Sequence, residues 1–333
     1  MNNLSQMMSC MKIPGTRPFF GSILVGCALF CAASATHAAS RVRAWGDLNY
    51  DFTVGPLRVK GQGAAGIAAG DFHSVVLQRN HKVVAWGDNS FGQAAVPRQI
   101  KHSRVLQIAA GNVHTLALKL NGTVVAWGPT NGQYGDFGQC DVPQGLKRVV
   151  AVAAGAVHSL ALQRDGTVVA WGANTHGQCN VPAGLGNVVA IAGGMYHSLA
   201  LCADGAVVGW GDDSWGQTDT PEGLSNVVAI AAAGFHNLAL KRDGTVVSWG
   251  AYGRALCGVP TELTNVVAIA TGDYHSLALK SDGTVVAWGF DTAGQCDIPA
   301  GTSNVVAIAA WGNHSMILAD EMPPTPARRS RGR

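Results

Sequence analysis

Charge is scarce in this sequence: 13% of its 333 residues are Asp, Glu, Lys or Arg. Basic charge is scarcest where a phosphate backbone would need it. Residues 40–321 hold 17 basic against 20 acidic side chains, a net of −3, which lacks the footprint of a nucleic-acid binder and excludes that partner. Glycine-rich phosphate loops are missing too, because the glycines recur with a fixed repeat and precede no helix. What is abundant is apolar residues (47%) and glycine (43 residues). The first argues against disorder and the second against a helical bundle, leaving turn-dense β structure.

The N-terminus has the order of an export signal. Lys12 and Arg17 precede an uncharged apolar run from Phe19 to Ala35, and Thr36-His37-Ala38 supplies small residues for cleavage after Ala38 or Ala39. A secreted or periplasmic location follows. A retained membrane helix is the competing reading, for which the run is short and interrupted by glycine. Leu24-Val25-Gly26-Cys27 also resembles a bacterial lipobox, which would make Cys27 a lipidated residue. Residues 322–333, with Pro323-Pro324-Thr325-Pro326 and then four arginines, read as a disordered basic tail.

Between these ends one unit is printed seven times. Trp-Gly recurs at Trp45, Trp86, Trp127, Trp171, Trp210, Trp249 and Trp288, in steps of 39–44 residues. A histidine followed by Ser, Thr or Asn recurs at His73, His114, His158, His197, His236, His275 and His314. Each unit reads as four strands. Residues 265–270 are an apolar β-branched strand, 275–280 a second, Asp282-Gly283 a hairpin turn, 284–288 a third, and the Gly-Gln-Cys-Asp-Ile-Pro segment a short fourth. Seven such units predict an all-β, seven-bladed β-propeller. The chain opens on a lone third strand (residues 41–46) and closes on two strands without a third (residues 305–318), so the N-terminal strand should complete the last blade and remove both open edges.

Residues 67–77, Ile-Ala-Ala-Gly-Asp-Phe-His-Ser-Val-Val-Leu, resemble the repeat signature of the regulator of chromosome condensation family, with similar matches at 108–118, 152–162, 191–201 and 269–279. Ala233 and Trp311 depart by replacing the glycine. The resemblance covers residues 42–320 and implies a propeller that acts by binding protein. The units are short and carry Gly-Gln-x-x-Val-Pro in place of the longer family pattern; in unit length, and in loops such as residues 86–93 (Trp-Gly-Asp-Asn-Ser-Phe-Gly-Gln), the chain resembles beta-lactamase inhibitory protein II, so a beta-lactamase is one partner the resemblance implies. The family's founder is a nucleotide exchange factor for a nuclear GTPase. No exchange wedge extends from the units here, and an export signal would separate the chain from such a partner.

Catalysis and metal binding find little support. The seven histidines occupy equivalent places in different blades, so they cannot converge as the four ligands of a structural zinc, and each imidazole is expected to satisfy backbone groups near its own turn. A catalytic triad would not be repeated sevenfold, so no enzyme activity, metal or cofactor is expected. Cys140, Cys179, Cys257 and Cys296 share one repeat position. One per blade, they lie beyond the roughly 7 Å Cα separation a disulfide spans, and they read as packing residues; the alternative is that an oxidising destination leaves Cys202 and its companions as reactive thiols. The repeat tryptophans are expected to fill the wedges between blades.

Function is expected on one face. In an up-and-down blade the turn ending at the repeat histidine and the loop after Trp-Gly emerge on the same side. Setting aside the repeat tryptophans and the signal phenylalanines, 13 aromatic residues remain, and all 13 fall in these two loop classes. Phe72, Tyr196, Phe235, Tyr274 and Trp311 would form an inner ring. Tyr50, Phe91, Tyr134, Trp215, Tyr252 and Phe290 would form an outer one, with Phe52 and Phe137 nearby. About a third of the rings should pack inward between loops. Such a surface, set among acids, Arg254 and Met195, suits a protein-binding hot spot on a monomeric propeller. Aromatic platforms also suit a carbohydrate, which would demand a similar site in every blade.

Overall fold

The computed structural model describes residues 40–47, 63–251 and 258–320. The expected signal, the basic tail, Tyr50, Phe52, Tyr252, Arg254 and Cys257 lie outside them. Seven antiparallel sheets of three strands follow one another along the chain. The first blade contains β2 (Ala64–Ala69), β3 (His73–Gln78) and β4 (Val83–Gly87). The last contains β20 (Val305–Trp311), β21 (His314–Asp320) and β1 (Ser40–Gly46). β1 runs antiparallel to β21 over its full length, from Ser40 opposite Asp320 to Gly46 opposite His314. The N-terminal strand therefore closes the propeller.

The first strand of each blade is innermost. β2, β5 (Val105–Ala110), β8 (Val149–Ala154), β11 (Val188–Gly193), β14 (Val227–Ala233), β17 (Val266–Thr271) and β20 touch in sequence, and β20 returns to β2. Small alanines let seven strands converge at the axis. Each first strand carries a bulge near its start, as between Val188 and Ala190, which adds local twist.

One apolar cluster fills each junction between blades. In one of them Leu160 and Leu162 of the third blade pack with Ile191 and Trp210 of the fourth, the tryptophan being 6% exposed. Polar staples cross the same junctions. Thr115 donates to the Gln93 carbonyl at 2.9 Å, so its hydroxyl accepts from His73 Nε2 at 2.7 Å in the preceding blade. The pattern recurs from His114 to Ser159, His158 to Ser198, His236 to Ser276 and His275 to Ser315, and in His197 to Asn237 an amide replaces the hydroxyl. Trp171 and Trp210 donate to the same glutamine carbonyls that Ser159 and Ser198 use, at 3.0 and 2.9 Å. The expectation that each histidine serves its own turn is thus corrected: Nε2 joins neighbouring blades.

The expected fourth strand is also corrected. Gly-Gln-x-x-Val-Pro is a compact turn, because the buried glutamine folds it onto itself. Gln93 Oε1 accepts the Phe91 N–H at 3.0 Å while Nε2 donates to Asp88 at 2.7 Å. After the first of these turns comes one short helix, α1 (Arg98–Lys101), which buries Ile100 where the sequence suggested a plain connection.

Candidate functional site

Backbone hydrogen bonds bring the two loop classes to one end of each blade. The Asp88 N–H, just after Trp-Gly, donates to the carbonyl of Phe72, just before the repeat histidine, at 2.7 Å. Equivalent bonds join Asp212 to Tyr196, Ala251 to Phe235 and Phe290 to Tyr274. Only glycine serves in Trp-Gly: at Gly211 φ is +110°, and a Cβ there would lie 2.6 Å from the Tyr196 carbonyl oxygen.

The inner turns also clasp one another around the axis, through N–H donation from Asn112 to Ala156 (3.0 Å), Ala156 to Gly194 (3.1 Å), Met195 to Gly234 (2.9 Å) and Asp273 to Gly312 (3.0 Å). Two turns have a different form. Ala233 pairs with His236 and Trp311 with His314, so these hairpins are tighter and the glycine moves one place on, to Gly234 (φ +48°) and Gly312 (φ +50°).

That shift overturns the place expected for Trp311 in the exposed inner ring. Its side chain is completely buried, its Nε1 donates to Asn112 Oδ1 of the second blade at 2.7 Å, and it shares a cluster with Ala156 and Ala233 of the third and fifth. Residue 311 stays on the strand, so its ring turns inward and closes the middle of the loop face. Trp311→Ala is expected to cost about 3–5 kcal/mol in a denaturant melt. A loss under about 1 kcal/mol would refute the plug.

The other expected residues within the described chain reach this end of the blades. Tyr196 stacks on His176 with centroids 4.6 Å apart and lies 6.1 Å from Phe235. Phe91 is 6.2 Å from Tyr134, and Tyr274 meets Phe290 edge-on at 6.2 Å. Phe72, Phe91, Tyr196, Phe235 and Tyr274 are half-buried, whereas Tyr134 (89%), Trp215 (54%) and Phe290 (41%) are exposed. His176 was missed because it is not an aromatic in the usual count. Its place two residues before the buried Gln178, equivalent to Phe91 and Trp215, was the available signal. Phe137, 55% exposed, occupies the same place in the longest unit. There Asp136 accepts the N–H groups of Gly132 and Gly138, at 2.8 and 3.0 Å, and Gln139 donates to Gly135, which brace the loop bearing Tyr134 and Phe137.

Two acids lie at the centre. Burial, then the charges of Asp273 and Asp47, push the Asp71 carboxyl up to about 7. Burial pushes Asp273 up to about 6, although N–H groups of Gly234 and Gly312 stabilise its anion. Gly312 lies against Asp71, leaving no room for a Cβ. The thiol alternative loses ground, since burial raises Cys140, Cys179 and Cys296 to about 12, 11 and 12 and the thiolate is disfavoured. Among the described residues no group of three or more His, Cys, Asp or Glu is placed to hold a metal. No helix among them is long and apolar enough to cross a membrane.

No curated protein matches the chain. The family model for the regulator of chromosome condensation (RCC1) repeat matches residues 65–93, 105–139, 149–178, 188–217 and 266–295. Among solved structures, Prp20p from Saccharomyces cerevisiae, which binds Gsp1p and histones, superposes with a TM-score of 0.72 at 21% identity, covering 86% of this chain and 92% of that one. Human WBSCR16 gives 0.67 at 22% identity, over 84% and 100%. The receptor kinase CR4 ectodomain from Physcomitrella patens gives 0.61 at 22%, over 78% and 69%. The likeness to beta-lactamase inhibitory protein II is not confirmed by these comparisons. Registered repeats, seven sheets around one axis and these superpositions agree: the chain carries regulator of chromosome condensation (RCC1) repeats and has the fold of an RCC1-type seven-bladed propeller.

Proposed function

We propose that this chain is an exported, non-catalytic propeller that binds another protein through its aromatic loop face. The observation that carries the proposal is the placement of exposed rings. Four of the six large hydrophobic side chains most exposed among the described residues are aromatic, namely Tyr134, Phe137, Trp215 and Phe290, and all four lie in loops after Trp-Gly. Glutamine and aspartate side chains fix the backbone beneath three of them, so little order has to be created on binding. Half-buried Tyr196, Phe235 and Tyr274 support the centre.

Affinity capture with the full chain followed by mass spectrometry identifies the partner. Tyr134→Ala and Trp215→Ala are then each expected to weaken binding by about 2 kcal/mol, roughly 30-fold, measured by biolayer interferometry. Unchanged affinity in both would reject this face. Inhibition of a beta-lactamase is the narrower form, and nitrocefin hydrolysis in the presence of the purified protein tests it. Export is tested by sequencing the N-terminus of protein recovered outside the cytoplasm: a start at Ala39 or Ser40 supports cleavage, and an intact N-terminus rejects it.

A further inference from the structure

The loop face has a charge character to match its rings. Its described inner turns and post-Trp-Gly loops contain Asp47, Asp71, Asp88, Asp136, Asp212, Asp213, Asp273 and Asp291, and no Lys or Arg at all. Arg254, in the fifth blade's loop, lies outside the described residues. The hairpins at the other end mix both signs, with Arg79, Lys119, Arg164, Arg242 and Lys280 standing beside Asp165, Asp204, Asp243 and Asp282. The body's net charge of −3 thus hides a loop face whose described charges are all acidic, against an opposite end of mixed sign.

The acidic character is sharpest at the axis. Asp273 is 8% exposed, and its Oδ1 has no hydrogen-bond partner. Asp71 is close enough for the two carboxyls to repel each other. Burying carboxylates together without a cation is costly, so a positive group brought to this spot would gain more than at the rim. Trp311 fills the axis there, bonded to Asn112 of the second blade and packed with Ala156 and Ala233 of the third and fifth. Phe72 and Tyr274, both half-buried, follow the two acids directly in the chain.

We infer that the protein partner inserts a lysine or arginine from a basic loop at Asp71 and Asp273, while the surrounding exposed aromatics grip the apolar flanks of that loop. The inference rests on the reading of this face as a protein-binding surface and adds the chemistry of what it selects.

A phage-displayed library of random 12-residue peptides, panned against the full chain, tests it without knowing the natural partner. Selected peptides should be enriched in Lys and Arg. Their affinity should fall at least tenfold for Asp71→Asn/Asp273→Asn, and in 0.5 M NaCl, but not for Asp282→Asn at the opposite end. The double variant removes buried charge, so its melting temperature should not drop; Asp71→Asn alone is the reserve variant, expected to show a smaller loss in the same direction. Neutral or acidic peptides, or equal binding by the Asn variants, would overturn the cationic seat. If binding then still depends on Tyr134 and Trp215, the protein-binding reading survives alone; if no peptide is enriched, both fall. Binding of a synthetic peptide of residues 322–333 at Asp71 and Asp273 would assign the seat to this chain's own arginine-rich tail and overturn the foreign partner.

Discussion

Acidification from pH 7 to pH 5 is expected to unfold this propeller. All seven repeat histidines are fully buried, and burial lowers them to about 4 (His73, His197 and His236) or about 3 (His114, His158, His275 and His314). In the unfolded chain they titrate near 6.5. Below that pH the unfolded state takes up seven protons that the folded state refuses, and stability falls as pH falls. Asp71 and Asp273 act oppositely: their raised folded values mean that the native state binds two protons first, which adds stability between about pH 7 and pH 4. Seven against two leaves a net loss on the order of 10 kcal/mol by pH 5, comparable with the roughly 5–15 kcal/mol stability of a whole domain. Thermal melts followed by circular dichroism between pH 7.5 and 4.5 measure it. A flat melting temperature between pH 7 and 5 would show that the rings accept protons without breaking the staples between blades. His158→Gln should reduce the slope by about one proton.

Removal of β1 is expected to have an effect of similar size. A chain beginning at Asp47 loses the antiparallel partner of all seven residues of β21, and with it the buried Trp45, which packs with Leu277, Leu279, Ile308 and Ile317 and donates to the Gln295 carbonyl at 3.0 Å. Loss of one such buried tryptophan costs about 3–5 kcal/mol, before the unpaired edge is counted. The bare β21 then becomes a template for another chain. Compared with a chain beginning at Ser40, the shortened protein should lose its cooperative melt or elute as higher oligomers in size exclusion with light scattering. A monomer with an unchanged melting temperature would show that closure by β1 is not what holds the ring.

The period of Trp-Gly and histidine is enough to specify seven blades, because each copy needs the same packing surface at the same place in its wedge. The fragments at residues 41–46 and 305–318 specify closure for the same reason, since neither makes a blade alone. The shared end of the two loop classes is legible from strand alternation, which is how Phe91, Tyr134, Tyr196, Phe235, Tyr274 and Phe290 are found together. Less legible is anything set by contact between blades. Sequence points each histidine to its own turn because it shows neighbours along the chain, whereas Thr115 and Ser159 stand 42 and 45 residues from the rings they bind. The missing fourth strand reflects a glutamine side chain that outcompetes a backbone ladder. Trp311 lies beyond reach for a related reason. Displacement of one glycine, to 312, lengthens a strand by a residue and turns an aromatic side chain from solvent to the axis. What the repeat alone determined is the architecture and the side on which its loops lie. Which rings meet solvent, and where two aspartates are pressed together, was decided only when seven turns converged in space.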